Sequence, residues 1–199
     1  MKRDGGGARC VEDLIEVQKS GVRLKFVFFW SHRGGRAGEL SAAVFSQWWP
    51  VQFSAAGKAF GSAEQYMMWR KADLFGDRVR ADAILQARSA AQAKDLGRTV
   101  RGFDEAVWER HRVEIVVTGS VLKFGSDPAL CAYLVGTGSR VLAEASPRDR
   151  IWGIGLAKDS EFAERPECWP GLNLLGFALM EARARVASGG RLLSRAQHK

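Results

Sequence analysis

Apolar positions recur along this chain with helical period more often than with strand period. Residues 11–20 (V-E-D-L-I-E-V-Q-K-S) set Val11, Leu14 and Ile15 on one helical face and close at Gly21. Residues 24–30 read instead as a core strand, rich in aromatic and β-branched side chains. An aromatic cluster at residues 44–53 follows, which Pro50 keeps from continuing as a central strand. Such a cluster serves either as core or as a platform for a planar ring. Residues 55–60 predict a turn and a short strand.

The most informative stretch is residues 61–77, G-S-A-E-Q-Y-M-M-W-R-K-A-D-L-F-G-D. Ser62 can cap a helix, with Gln65 as the reciprocal half of a capping box and Gly76 as the left-handed residue that ends it. Ala63, Met67, Met68, Leu74 and Phe75 fall on one face, yet Glu64 and Lys71 lie inside that stripe. Two readings are open. Glu64 can complement the helix dipole while Lys71 snorkels to water, or a carboxylate is held in a cleft with a cation nearby, as active sites arrange.

Further helices follow closely. Asp77 caps one to about Ala87, and Ser89 with Gln92 caps another ending at Gly97. A basic connector leads to Asp104, which opens a long helix to about Phe124, and Asp127-Pro128 opens a short one to Val135. After a short strand at residues 141–145, the loop S-P-R-D-R-I-W-G-I-G sets Asp149 between two arginines, which favour its ionised form. It is either a positioned functional loop or a solvated Asp/Arg turn. Residues 171–186 predict a closing amphipathic helix that Asn173 can cap. The whole reads as an α+β fold, a helix-rich single domain over residues 11–187 with a few short strands. A flexible Gly-rich lead (1–10) and a polar tail (188–199) flank it.

Composition narrows the function classes. At 199 residues the chain can bury a core without staples. Its three cysteines are far apart, which fits a reducing compartment and a cytoplasmic protein. No segment approaches a membrane span. The net charge of +8, carried mostly by arginine, suits phosphate-bearing ligands. It also admits general nucleic-acid binding, but no continuous basic run supports that. The Gly/Arg loop at residues 31–40 matches neither nucleotide-binding glycine spacing.

Taken together, several stretches resemble the NADAR superfamily, the YbiA-like N-glycosidases. They include Phe28-Phe29-Trp30-Ser31-His32, Ala63-Glu64-Gln65-Tyr66-Met67-Met68 with Lys71, and Leu74-Phe75-Gly76-Asp77. Further on come Leu96-Gly97-Arg98, Lys123-Phe124 and Ala143-Glu144-Ala145-Ser146-Pro147. The match closes with Asp149-Arg150-Ile151-Trp152-Gly153 and Gly171-Leu172-Asn173-Leu174-Leu175-Gly176. Gln65 stands where His commonly follows the family's Glu, and Gln47-Trp48 stand where Asn-Phe is frequent.

The resemblance implies a YbiA-like fold and hydrolysis of an N-glycosidic bond between ribose C1 and a base or amine. Its substrates would be phosphoribosylamino-pyrimidine intermediates of riboflavin synthesis or ADP-ribosylated guanine, free or in nucleic acid. Neither a cofactor nor a metal is expected, and His32, His111 and His198 are too scattered for a metal site. Such a bond breaks through an oxocarbenium-like transition state, which carboxylates stabilise. Glu64 is then the principal acid/base and Asp149 the residue that orients or stabilises. Lys71 would pair with Glu64 or reach a phosphate. Lys123 is a second phosphate candidate, or a solvated helix lysine. Trp48, Trp108 and Trp152 can stack on the base, with Gly153 beside the pocket wall and Asn173 on a ribose hydroxyl. The alternative is a non-catalytic ADP-ribose or nucleotide-binding module.

Overall fold

A computed structural model of the chain describes residues 5–32 and 39–196. The elements in order are α1 (Val11–Lys19), β1 (Phe26–Phe29), β2 (Phe53–Ala55), β3 (Lys58–Phe60), α2 (Ala63–Leu74), α3 (Arg78–Leu85) and α4 (Ala90–Arg98). They continue as α5 (Glu105–Gly125), α6 (Pro128–Val135), β4 (Val141–Glu144) and α7 (Leu174–Ala196). The expected α+β, helix-rich domain is what forms.

Local signals set most boundaries. Ser62, Asp77, Ser89, Asp104 and Asp127 each accept a backbone N–H of the following turn with a side-chain oxygen. Gln65 completes its cap one residue further out than a capping box would, accepting the Gly61 N–H at 2.7 Å. Its amide nitrogen then donates to the Ile84 carbonyl at 2.9 Å, tying α2 to the end of α3. Gly21 and Gly76 adopt positive φ, as helix-ending glycines do. Gly97 does not end α4, which runs on to Arg98. A Cβ there would lie 2.1 Å from Met68 Sδ, so this glycine lets α4 press onto α2.

The two strand pairs differ in reach. β2 and β3 form a local antiparallel hairpin, turned by Ala56 and Gly57 at positive φ. β1 and β4 pair in parallel, Phe26 beside Val141 and Phe29 beside Glu144, with most of the chain between them. Around these pairs, α5 packs against α2, α6, α7 and β2, while α7 lies on β4. Seven consecutive residues at the start of α2, from Ala63 to Trp69, are buried. This helix is enclosed on every side rather than along one stripe.

Two terminal expectations change. Gly5 to Gly7 make a 3-10 turn, and Gly5 packs so closely that a Cβ would meet Leu24 and Val141 within 2.8 Å. The closing helix starts at Leu174 and runs to Ala196, ten residues beyond the expected end at 186 and into the expected polar tail. At its first turn, a Cβ on Gly176 would lie 2.0 Å from the Leu142 carbonyl oxygen. Gly176→Ala is therefore expected to destabilise the fold by about 1–3 kcal/mol, the usual penalty for overpacking. Thermal denaturation checks this; an unchanged melting temperature would mean that α7 can withdraw from β4 freely.

Candidate active site

Three chain segments meet backbone to backbone at the C-terminal end of β4. The Ile154 N–H donates to the Glu144 carbonyl at 2.9 Å, and residues 171–175 donate in turn to carbonyls of residues 150–154. Glycines make this approach possible: a Cβ on Gly153 would lie 2.8 Å from the Glu144 oxygen, and one on Gly171 2.3 Å from the Gly153 oxygen. Gly153 thus shapes the scaffold and is absent from the pocket wall. Asn173 corrects its expectation too. Fully buried at φ 52°, it accepts the Glu144 N–H at 3.0 Å through Oδ1 and donates to the Leu142 carbonyl at 3.0 Å. Its amide is occupied in holding the strand, neither capping α7 nor facing a ligand.

Against this frame lies a cavity of about 190 Å³ lined by Glu64, Glu144 and Asp149 together. Glu64 comes from the enclosed first turn of α2, where its N–H is bound by the Gln47 carbonyl at 2.9 Å. The two carboxylates singled out from sequence therefore do face one space. Glu144 joins them as an acid that residue reading missed, although its place at the end of a buried strand was the available signal. Asp149 turns its own loop, accepting the Ile151 and Trp152 N–H groups on Oδ1 at 2.9 and 2.7 Å.

Burial dominates the electrostatics. It raises the Glu64 carboxyl from 4.5 to about 7, against Lys94, a hydrogen bond from the Trp48 side chain and Arg98, with the Asp149 charge pushing the same way as burial. Glu144 is raised further, to about 8, by burial and then by the charges of Asp149 and Glu64. Glu64 Oε1 and Glu144 Oε2 are buried without a hydrogen-bond partner. Two acids in a cavity, each with one unpartnered oxygen, are poised for a ligand.

Trp48, Trp108 and Trp152 all line the cavity, with Met67 and Met68 between. Trp108 also belongs to the core, at 9% exposure. Lys71 lines the cavity but does not pair with Glu64. Its ammonium donates to the Gly97 carbonyl at 3.0 Å and sits 4.2 Å from the centre of the Phe103 ring. The cations acting on Glu64 are Lys94 and Arg98 of α4, neither of which is singled out from the sequence as a site residue. Lys123 lies elsewhere. It is fully buried, donating to the Val44 and Ser46 carbonyls at 2.6 and 2.8 Å, and burial lowers its pKa to about 7. It is neither a phosphate ligand nor a solvated lysine, but a brace under the segment that carries Gln47 and Trp48.

The cavity opens into a wider groove of about 740 Å³, which shares Trp48, Lys94, Arg98, Glu144 and Asp149 and adds Trp30, His32 and Arg148. Ser31 and His32, at the start of the Gly/Arg loop, line this groove; residues 33–38 lie outside the described residues, as does His198.

Fold and pocket define a helix-rich α+β domain organised around an acid-lined, cation-rimmed cleft. The chain belongs to the NADAR family, whose domain model matches residues 28–187. It is 42% identical over 164 residues to an N-glycosidase of Acanthamoeba polyphaga mimivirus, covering 80% of this chain and 95% of that protein. It is also 36% identical over 107 residues to the chloroplastic riboflavin biosynthesis protein PYRR of Zea mays, 52% of this chain but only 15% of that protein. Among solved structures, the NMR structure of the E. coli protein YbiA matches with a TM-score of 0.67 at 23% identity, covering 85% of this chain and 89% of that one. That likeness bears on the fold. The family and the mimivirus relative together support a general N-glycosidase function.

Proposed function

We propose that this protein hydrolyses the bond between ribose C1 and a nitrogen of a base or amine, in a ribosyl-phosphate or ADP-ribosyl compound, without a metal. The observation that carries this reading is the convergence of Glu64, Glu144 and Asp149 on one tryptophan-walled cavity, two of them with raised proton affinity. Raised carboxyls can hold or release a proton near neutrality, as acid/base work on a glycosidic bond requires. Lys94, Arg98 and Arg148 along the groove suit the phosphates of such a substrate.

In this mechanism Glu144, protonated at neutral pH, gives its proton to the departing nitrogen as the C–N bond breaks. Glu64 takes a proton from the water that attacks C1, forming the new C–O bond. Asp149 offsets the positive charge that develops on the sugar ring. The two glutamates then exchange protons with solvent to reset.

The mechanism fixes the pH behaviour. kcat is expected to fall as pH rises through about 8, where Glu144 loses its proton. Glu144→Gln is expected to cost at least about 100-fold in kcat and to flatten that alkaline limb. Purified protein is incubated with a phosphoribosylamino-pyrimidine and with ADP-ribosylated guanine, and released base is measured by mass spectrometry. Release from neither, alongside tight binding of ADP-ribose, would replace the hydrolase by a binding module.

A further inference from the structure

The mechanism leaves one buried polar group of the pocket unused. Gln47 is 7% exposed, lines the cavity, and its Nε2 has no hydrogen-bond partner. A primary amide in that state forfeits about 1–3 kcal/mol unless something supplies the missing acceptor. The position is also well held. The Gln47 carbonyl accepts the Glu64 N–H at 2.9 Å, and the neighbouring Ser46 carbonyl is pinned by Lys123. The backbone is thus fixed on both sides, and what is left to meet a ligand is the side chain of a residue that lines the cavity.

From this we infer that Gln47 is a specificity-determining residue whose Nε2 donates to a carbonyl oxygen on the planar ring of the leaving base. The neighbourhood favours a ring edge over a sugar. Gln47 adjoins Trp48 in sequence, and the cavity both line also presents Trp108, Trp152, Met67 and Met68, aromatic and apolar surface suited to the face of a heterocycle. A donor set at the rim of such a slot reads the ring's in-plane acceptor. The substrate class is therefore a base that carries a ring carbonyl, and a ring with hydrogen in its place leaves the Gln47 amide unpaired. Sites built to hydrogen-bond a group reject analogues that lack it more strongly than those that merely differ in bulk.

The inference rests on the proposed reaction for the word "leaving", but its test does not. Calorimetry compares binding of guanosine 5′-monophosphate with that of 2-aminopurine riboside 5′-monophosphate, which lacks the ring carbonyl together with the adjacent ring N–H, and substitution of Gln47 isolates the carbonyl's share. The native chain is expected to favour the first by at least about 10-fold in Kd. Gln47→Met is expected to abolish the preference. Gln47→Leu, likewise without a donor, is expected to abolish it too, and circular dichroism establishes that both variants are folded. Equal affinities in the native chain, no binding of either compound, or a preference that survives both substitutions would each overturn the assignment. A preference that vanishes on substitution in a protein that releases no base from any substrate would retain Gln47 as a carbonyl reader while removing the hydrolase.

Discussion

Glu64→Gln is expected to cripple turnover by at least about 100-fold in kcat while making the protein more stable at pH 8. The two effects share one cause. Burial lifts this carboxyl from 4.5 to about 7, so the folded chain binds the proton more tightly than the unfolded chain does. Relative to a neutral isostere, the native side chain therefore costs nothing below pH 4.5. The cost grows as pH rises from 4.5 to about 7 and is complete above that. For this fully buried group it amounts to on the order of 3 kcal/mol. Thermal melts of the two proteins should coincide near pH 4 and separate near pH 8, with the variant higher. A variant that melts lower at pH 8 would show that Glu64 is held for structure and not for chemistry.

Lys123→Met is expected to have the largest effect on stability. The lysine donates to two carbonyls in a fully buried setting, and methionine fills similar volume without replacing either bond. Two carbonyl groups left unpaired cost about 2–6 kcal/mol together. Both flank the segment bearing Gln47 and Trp48, so substrate affinity should fall with stability. The pH dependence has a definite sign. Because burial lowers the lysine from 10.5 to about 7, the folded chain binds this proton less tightly than the unfolded one. Its contribution is fully present above pH 10.5, shrinks as pH falls through that window, and is smallest below about 7. Urea denaturation of both proteins at pH 6 and pH 9 checks this. A stability gap no larger at pH 9 than at pH 6 would mean that the lysine remains charged inside.

What could be read from the chain beforehand was whatever depends on neighbours in sequence. Ser62, Asp77, Ser89, Asp104 and Asp127 cap helices because a cap is an interaction across three residues. The incongruity of Glu64 in an apolar run was visible for the same reason. Glu144 was not, since a single acid closing a short strand resembles an edge residue until β1 and α7 cover it. Lys123 looked like a solvated helix position because nothing local says that α5 is central. Gly97 looked like a stop, and only the crossing of α4 over Met68 explains it. Asn173 fits both capping and ligand contact by residue type; its left-handed backbone and grip on β4 are tertiary facts.

The parallel pairing of β1 with β4 also orders events during folding. Helices α2 to α5 contact one another over short chain separations and can gather early, whereas the strand ending in Glu144 must find a partner near the opposite end of the chain. Closing so large a loop is entropically slow, and non-local pairings of this kind govern folding speed. The acid of the proposed reaction is accordingly expected to be seated late, so that a chain holding much of its helix would still be inert.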